Sequence, residues 1–465
     1  MINERQVYTL IIDIGKTHVK LHVLDANFKS VHANQMPNTV NHQTAYPSAN
    51  IDGIWHWLCE SIKAFTPSFL ITHITITTHG ASAALIDRDS SEENGLVLPV
   101  LDYEYGATHA QSEGYEQIRP PFNESFSPSL PAGLNLGRQL FWLKQKFPKK
   151  FSQASHILMY PQYWAWRFTG TLVSEVTSFG CHTDLWSVKN NSFSSLVDAL
   201  DCRDLVPPMK PAWFNCGVIH EHLRSSLGLD EDCQFFSGIH DSNASFLRYR
   251  LAKGASPFTV ISTGTWTILM ASQTPLEKLD ASRDMLANVD ALGEPIACAR
   301  FMGGREFESI CEQAGSWLGE QFDECDLKAI IHNQVFALPD FSEGSGPFGG
   351  RQPQFIGHVD KVSGSALATL YCALMIDYQL SSLQARGDVI IEGAFLKNPL
   401  LCAVLNQLRS DQDVSLSLDA TGTVLGAAYL SHWQTIDANI ELKKAECTQL
   451  DGLSVYRDKW LSLLS

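Results

Sequence analysis

The chain has 465 residues, too many for one hydrophobic core, so we expect two large domains. Its net charge of −16 and the lack of a basic stripe argue against nucleic acid or an anionic membrane as a partner. Eleven scattered cysteines, no signal peptide and no apolar run of membrane-spanning length predict a cytoplasmic protein with free thiols.

The first predicted element is a β-hairpin. An apolar run from Tyr8 reaches Asp13, turns through Gly15 and Thr17, and resumes apolar alternation to Asp25, which places Asp13 at the tip. Backbone N–H groups of such a turn can face phosphate oxygens, and the carboxylate can hold Mg²⁺ directly or through water. Taken alone, the pattern favours an ordinary hairpin; later segments raise the functional interpretation.

The next segment predicts a helix and a second strand–turn–strand unit. Apolar residues at helical spacing cover Ile51–Phe65, and the β run Phe69–Thr78 ends at His79 and Gly80. Loops at strand ends often carry functional residues. A core or turn histidine is an equal alternative for His79.

An acidic, aromatic turn follows at Asp102-Tyr103-Glu104-Tyr105. Carboxylates can accept hydrogen bonds from the hydroxyls of a polyol, and aromatic rings can pack on its C–H faces. This combination suits a sugar, although a solvated acidic turn would look the same.

A short strand, Phe235–Gly238, precedes His240 and Asp241. A carboxylate at a strand end can take a proton from a substrate hydroxyl, provided that it is properly placed. Asp241 also stands where a helix N-cap is expected, and the two roles are compatible.

The C-terminal half repeats the hairpin device and adds two more glycine turns. The strand from Phe258 leads through Ser262-Thr263-Gly264-Thr265 into a second strand, which suggests a duplicated architecture. Gly303-Gly304 precedes a predicted helix over Phe307–Leu318. The strand from Asp388 reaches Gly393, and a helix starts after Asn398, where adenine or phosphate could approach the backbone. A helix of small residues follows Asp419 and could pack closely under a nucleotide.

These motifs, in this order, resemble those of the FGGY carbohydrate kinases, members of the actin-like ATPase superfamily. The matching stretches are Asp13-x-Gly15-x-Thr17-x-x-Lys20, His79-Gly80, Phe168-Thr169-Gly170 with Glu175-x-Thr177, Gly238-x-His240-Asp241, Ser262-Thr263-Gly264-Thr265, and Gly393 to Leu400.

The resemblance implies an α/β fold of two actin-like (ribonuclease H-like) domains with an active-site cleft between them. Residues 1–249 would be the sugar-binding domain and residues 250–465 the nucleotide-binding domain. The implied reaction transfers the γ-phosphoryl group of ATP, with Mg²⁺, to a sugar hydroxyl. The implied site residues are Asp241 as the base; Asp13 for the metal; Gly15, Thr17, Lys20, Thr263, Gly264, Thr265, Gly304, Gly393 and Asn398 for the nucleotide; and His79, Gly80, Asp102, Glu104, His240 and Asp241 for the sugar.

Three positions depart from the family pattern. Lys16 stands where Thr is frequent, and its amine could reach a phosphate or solvent. Gln162 follows Pro161 in place of the frequent Asp. The segment Asp102-Tyr103-Glu104 lacks the usual Arg, so its basic partner is missing.

The wording of the motifs is most similar to the rhamnulokinase-type branch, which predicts L-rhamnulose or L-fuculose as substrate. A ketopentose, such as L-xylulose or D-ribulose, is the alternative. Two other classes remain: an actin-like ATPase that regulates a protein partner, and a sugar sensor without transfer activity, against which Asp13 and Asp241 argue. The resemblance also allows a homodimer.

Overall fold

A computed structural model of the protein describes residues 6–342, 344–419 and 422–464. The chain divides into two units, each with a seven-stranded sheet. The first unit comprises residues 6–252, 288–294 and 422–439, and the second comprises residues 253–287, 295–342, 344–419 and 440–464. No helix in the described part of the chain is long and apolar enough to cross a bilayer.

The sheet of the first unit is built on the predicted hairpin, β1 (Val7–Ile14) and β2 (His18–Leu24). The strand order is β11-β12-β6-β1-β2-β3, and β13 also pairs with β6. β1 and β6 run parallel and are largely buried, as their apolar runs predict. Asp13 lies within β1 and the turn is Gly15–Thr17, so the prediction of Asp13 at the tip was wrong by two residues. The other strands are β3 (Ser30–Pro37), β4 (Val40–Asn41), β5 (Ser48–Ala49), β6 (Leu70–Thr78), β7 (Ala83–Ile86), β8 (His156–Met159), β9 (Trp186–Ser187), β10 (Ser192–Phe193), β11 (Asn215–Val218), β12 (Gln234–Phe236) and β13 (Ile239–His240).

Helix α1 (Ile51–Phe65) confirms the predicted bounds. Asn50 caps it by accepting a hydrogen bond from the Gly53 N–H at 3.2 Å, and its apolar stripe joins the core of the sheet. The other helices of this part are α2 (Ala107–Ala110), α3 (Tyr115–Ile118), α4 (Phe122–Ser125), α5 (Leu136–Lys146), α6 (Pro148–Phe151), α7 (Tyr160–Thr169), α8 (Val176–Phe179), α9 (Ser195–Ala199), α10 (Glu221–Leu227) and α11 (Asp241–Lys253), with a 3-10 turn at Arg203–Leu205.

The sheet of the second unit follows the same plan, with the order β16-β17-β15-β14-β20-β21-β22. Its hairpin β14–β15 is antiparallel, and β14 pairs in parallel with β20, as β1 does with β6. This shared plan agrees with the duplicated architecture suggested by the two hairpin motifs. The strands are β14 (Phe258–Thr263), β15 (Thr267–Ser272), β16 (Met285–Val289), β17 (Pro295–Phe301), β18 (Phe336–Leu338), β19 (Gln354–Ile356), β20 (Asp388–Gly393), β21 (Val414–Ser417) and β22 (Leu442–Lys444).

Helix α12 (Gly303–Gln313) begins at the glycine pair itself and ends before Gly315, which has φ +76°. The predicted span Phe307–Leu318 was therefore shifted toward the C-terminus. Helix α14 (Gly364–Ser382) is buried almost all round and is the central helix of this unit. The remaining helices are α13 (Glu324–His332), α15 (Pro399–Leu408), α16 (Gly422–Ala428) and α17 (Leu453–Leu463), with 3-10 turns at Leu276–Lys278, Ala281–Arg283, Val359–Lys361, Ala394–Lys397 and Tyr429–His432.

The small-residue helix α16 belongs to the first unit. Its composition had suggested close packing under a nucleotide, but it packs against other elements of the first unit instead. It packs on β1 and β6, and Val424 and Ala427 share a core cluster with Ile11. A Cβ on Gly426 would lie 1.8 Å from the Ala244 carbonyl oxygen. The small residues therefore allow α16 and α11 to approach closely.

Candidate active site

Asp13 is a buried carboxylate one residue before the end of β1. In the sheet register it lies opposite Lys20 of β2 and beside Thr77 of β6. Lys20 Nζ is 3.5 Å from Asp13 Oδ2. Burial, with a smaller contribution from the charge of Asp241, raises the pKa of Asp13 to about 6 against the opposing charge of Lys20.

This carboxylate fits a divalent cation. The hydroxyl of the neighbouring Thr77 is buried and has no hydrogen-bond partner among the residues that the structure describes. Oxygen donors are the ligands that Mg²⁺ prefers. Within the described residues no three His, Cys, Asp or Glu side chains converge as a metal cluster. A Mg²⁺ ion at Asp13 would therefore take its other ligands from water and phosphate, as is usual for this metal.

The turn after Asp13 is held from outside the hairpin. Gly15 donates its N–H to the His18 carbonyl at 3.0 Å and accepts a hydrogen bond from Asn38 Nδ2 at 2.8 Å. Thr17 is exposed, and its hydroxyl lies 3.1 Å from His18 Nδ1. The predicted turn is thus formed, with Thr17 facing solvent.

Lys16 is the residue of this turn that reaches the acidic segment. Its ammonium forms a hydrogen-bonded ion pair with Asp102 Oδ1 and lies 3.3 Å from Glu104 Oε2. Asp102 is buried, whereas the Glu104 side chain is 64% exposed. Lys16 therefore supplies the basic partner that the sequence lacked at the usual position, and its ammonium contacts carboxylates instead of pointing only to solvent.

Lys16 and Asp102 line a pocket of the first unit, together with the rings of Tyr103 and His79. Lys16 Nζ lies 4.7 Å from the centre of the Tyr103 ring, and that ring meets the His79 ring edge-on at 5.4 Å. Burial lowers the pKa of His79, so the ring is neutral near pH 7. Since His79 Nδ1 lies 3.0 Å from the Gly80 carbonyl, it carries the proton and leaves Nε2 as a hydrogen-bond acceptor.

Asp241 begins helix α11, directly after β13. Its Oδ1 accepts hydrogen bonds from Ser242 N at 2.6 Å and Ser242 Oγ at 3.3 Å, and it lies 3.2 Å from His240 Nε2. Among the described residues, no group donates a hydrogen bond to Oδ2. One carboxylate oxygen is thus fixed by the start of the helix, and the other has no donor in the described part of the chain, an arrangement that a general base could use.

The residues behind Asp241 are buried and polar. His240 N–H donates to Thr177 Oγ1 at 3.1 Å, and Thr177 in turn bonds the carboxylate of Glu175 at 2.5 Å. Gln162, the departure noted above, donates from Nε2 to the Ser237 carbonyl at 3.0 Å. The two motif segments around Glu175 and Gln162 therefore hold the strand end that carries Asp241.

Gly80 is required for this packing. A Cβ on Gly80 would lie 2.6 Å from His240 Nε2. The His-Gly motif therefore brings His79 into the pocket and leaves room for His240 beneath it.

In the second unit, the turn after β14 forms as predicted. Gly264 N–H donates to the Trp266 carbonyl at 2.9 Å, and Thr265 is exposed. Thr263 is buried; its hydroxyl donates to the Glu392 carbonyl at 2.6 Å and accepts from Phe395 N–H at 2.9 Å. Thr263 therefore joins two loops, whereas Gly264 and Thr265 are open to a ligand.

A cavity of about 480 Å³ lies beside these loops, within the second unit. A Cβ on Gly304 would lie 2.4 Å from the Gly264 carbonyl oxygen, and Gly393 has φ +90° with the Thr263 carbonyl oxygen 2.1 Å from its Cβ position. Asn398 caps α15 through Leu401 N–H at 3.1 Å. These glycines bring three backbone turns close together at one end of a pocket, and its lining includes Gly304, Phe307, Leu318, Phe322, Ala394, Phe395, Asn398 and Leu400.

Comparison with protein families decides the assignment. Residues 8–247 match the N-terminal domain of the FGGY family of carbohydrate kinases, and residues 255–439 match the family's C-terminal domain. The chain belongs to the FGGY family of carbohydrate kinases. Both the predicted family and the predicted enzyme class, a carbohydrate kinase, are thereby confirmed.

Solved structures agree with this assignment. A carbohydrate kinase from Novosphingobium aromaticivorans is 30% identical, with a TM-score of 0.89 and 99% of each chain covered. A xylulose kinase from Lactobacillus acidophilus, at 17% identity and a TM-score of 0.78 over 98% of this chain and 97% of that one, shares the fold. The predicted two-domain actin-like α/β fold is confirmed.

Among characterised relatives, an L-fuculokinase from Salmonella typhi is 26% identical over 275 residues. That alignment spans 57% of this chain and 57% of the relative. The likeness to this kinase is therefore partial in length.

In this FGGY chain the structure brings the predicted sugar residues together in the first unit and the glycine turns together in the second. The sequence-based prediction missed the pairing of Lys16 with the acidic segment, and it missed Cys181 and Asn243 next to His240. Of these residues, only Lys16 was recognisable in the sequence as unusual, because it occupies a turn position where a small residue is frequent. Cys181 and Asn243 had none, since their roles come from tertiary packing.

Proposed function

We propose that the protein transfers the γ-phosphoryl group of ATP to a hydroxyl of a ketose. The observation that carries this proposal is the contact pattern of Asp241. Its Oδ1 accepts hydrogen bonds from Ser242 and lies 3.2 Å from His240 Nε2, while no described group donates to Oδ2. In-line phosphoryl transfer requires little more from the protein than a positioned hydroxyl, a carboxylate to accept its proton and neutralised phosphate charge. Asp241 fits the proton-accepting role.

The neighbouring side chains fit the hydroxyls of the sugar. His79 Nε2 and the carboxylate of Asp102 accept hydrogen bonds, and the ammonium of Lys16 donates them. The ring of Tyr103 offers a face for C–H groups. Binding by this set would place one hydroxyl against Asp241 Oδ2.

The proposed nucleotide ligands belong to the second unit and the first hairpin. Open turns at Gly15–Thr17 and Gly264–Thr265 would meet phosphate oxygens, and the cavity beside Gly304, Gly393 and Asn398 would hold adenosine. Asp13, next to Lys20, would hold Mg²⁺, which neutralises phosphate charge when it is bound. The names sugar-binding and nucleotide-binding for residues 1–249 and 250–465 rest on the same proposal.

A neutral sugar fits better than a sugar acid. Lys16 is matched by two carboxylates, Asp102 and Glu104, so a substrate carboxylate would meet net negative charge. The same pocket is lined on one side by Val40, Ala49 and Leu101, which suits an apolar deoxy carbon. We therefore place a 6-deoxyketohexose, such as L-fuculose or L-rhamnulose, before a ketopentose. The L-fuculokinase relative supports this order; a rhamnulokinase-like branch, a homodimer and a cytoplasmic location stay predictions.

The test is ADP release with Mg·ATP against L-fuculose, L-rhamnulose, L-xylulose, D-ribulose, D-xylulose and glycerol, with D-gluconate as the acidic control. A strong response to one or two neutral ketoses supports the proposal. A flat response with steady sugar-independent ATP hydrolysis contradicts it and favours an actin-like ATPase that regulates a partner. A response to gluconate alone would overturn the charge argument.

A further inference from the structure

Cys181 is a buried thiol that the proposed reaction does not use. It lies two residues beyond α8, and its Sγ is 3.8 Å from His240 Nε2. His240 precedes the proposed base, Asp241. The thiol is therefore separated from the base by a single imidazole ring.

The proton positions on His240 follow from its neighbours. The Nδ2 group of Asn243 donates to the Val289 carbonyl, which fixes the amide so that Oδ1 faces His240. His240 Nδ1 is 3.0 Å from that oxygen and so carries a proton. The protonation of the second ring nitrogen, Nε2, depends on its own neighbours.

Nε2 faces two acidic groups at once. It lies 3.2 Å from Asp241 Oδ1 and 3.8 Å from Cys181 Sγ. A bare nitrogen would place its lone pair against a carboxylate oxygen in a buried site, which is unfavourable. A proton on Nε2 makes the ring an imidazolium, which donates a hydrogen bond to Cys181 Sγ and attracts the carboxylate of Asp241 through its charge.

Cys181 also meets a second ring. His182 Nδ1 lies 3.0 Å from the Leu134 carbonyl and donates to it. Burial by itself raises the pKa of the Cys181 thiol, but His182 and His240 outweigh this and lower it to about 5. Burial likewise lowers the pKa of His240, but Cys181 and Asp241 raise it to about 10. The titratable groups that act on this pair are His182, Asp241, Glu175 and His79.

We propose that Cys181 and His240 form a buried thiolate–imidazolium pair that positions Asp241 by holding Oδ1, so that Oδ2 is the oxygen that accepts the substrate proton. The thiolate keeps His240 protonated, and the imidazolium keeps its ion pair with Asp241 Oδ1. Cys181 is a positioning residue, because it acts on the base only through His240. The inference rests on the proposed role of Asp241.

The first test reads the thiolate without any turnover. The ultraviolet thiolate absorbance of the full-length enzyme is titrated with pH and compared with that of Cys181→Ala. We expect the difference to show a thiolate at neutral pH that is lost with a midpoint near pH 5. The matched control is Cys233→Ala, because burial raises the pKa of that thiol to about 12 and its removal leaves the neutral-pH absorbance unchanged.

The second test reads the effect on the base. In Cys181→Ala the pKa of His240 should fall, because the thiolate that stabilises the imidazolium is removed. The kcat of the variant should then decline by about tenfold per pH unit above that lowered pKa, while the kcat of wild type stays constant over the same range. KM for Mg·ATP stays unchanged. If Cys181 served only in packing, its replacement would lower kcat equally at every pH.

Each outcome decides one point. A neutral Cys181 thiol at pH 7 overturns the ion pair, and a thiolate with a kcat profile like that of wild type overturns the positioning role. Nitrogen NMR of histidine-labelled wild type reports the charge of His240 even where the variant does not fold. If Asp241→Asn retains transfer, the proposed base fails while the thiolate signal persists, so the two failures are distinguishable.

Discussion

Lys16 and Asp102 are 86 positions apart in the chain, yet they form a hydrogen-bonded ion pair in the proposed sugar pocket of the first unit. The hairpin turn therefore contributes to two proposed sites. Its backbone would face phosphate, whereas its one long side chain sets the charge of the pocket. If the proposed function holds, this relationship gives Lys16 a part in substrate recognition.

The first prediction concerns that pair. In Lys16→Met, Asp102 stays buried without its cation, and a hydrogen bond to a charged group is lost, so KM for the sugar should rise by about 10- to 100-fold. KM for Mg·ATP should stay within a factor of about two, since the ion pairs of Lys16 are with the acidic segment. Steady-state kinetics with each substrate varied separately checks this.

Lys149→Met is the matched control, because Lys149 is an exposed residue of α6 outside the site. It should leave both KM values unchanged. A Lys16→Met variant whose KM for ATP rises while its KM for sugar does not would show that the ammonium serves phosphate instead.

The sequence could predict the fold, and the turns from which the candidate site is built, because both depend on local patterns. The hairpin around Asp13 and the helix Ile51–Phe65 follow from apolar spacing and turn residues alone. The pairing of Lys16 with Asp102 could not be predicted. Lys16 is an unusual residue for its turn, but a long flexible side chain gives no periodic pattern that would show which residue its ammonium contacts. Similarly, the composition of α16 indicated close packing but not the element on which it packs.

The second prediction concerns the proposed base. Asp241→Asn keeps a side chain of the same shape that can accept from Ser242, so the fold and Mg·ATP binding should persist. It removes the proton acceptor, and kcat should fall by about 10²- to 10⁴-fold. Single-turnover transfer, with circular dichroism as a folding check, measures both effects. Near wild-type turnover in this variant would remove Asp241 from the mechanism.

The third prediction concerns the nucleotide turns. In Gly304→Ala the new Cβ meets a backbone carbonyl, that of Gly264, at 2.4 Å, and a backbone atom cannot swing away as a flexible side chain can. The turn should shift, with KM for Mg·ATP rising by about tenfold or more and KM for the sugar unchanged.

Gly106→Ala serves as the control, because its Cβ would meet nothing within 4 Å and its φ of −65° suits alanine. It should retain wild-type kinetics. Equal KM values for Mg·ATP in Gly304→Ala and wild type would argue that this turn does not contact the nucleotide.

The fourth prediction concerns the cost of keeping Asp13 buried. Its pKa in the folded protein, about 6, lies above the ordinary value of 3.8, because burial disfavours the charged form. The protonated group thus favours folding fully below the ordinary value, and this contribution is lost as the pH rises through about 6. Asp13→Asn, which does not ionise, should therefore raise the metal-free unfolding free energy by up to about 3 kcal/mol near neutral pH and by little below about pH 4.

Denaturant unfolding across this pH range, without Mg²⁺, measures the effect, and Asp89→Asn on an exposed loop should show no such pH dependence. The same Asp13→Asn change should weaken the dependence of turnover on Mg²⁺, since it removes the proposed ligand charge. A stabilisation that is equal at acid and neutral pH would trace the effect to packing. A stabilised variant with an unaltered Mg²⁺ dependence would show that the buried charge of Asp13 destabilises the fold but that Asp13 does not bind the metal. Together, greater stability and poorer use of Mg²⁺ would show that the chain keeps an unfavourable buried charge because the reaction needs it.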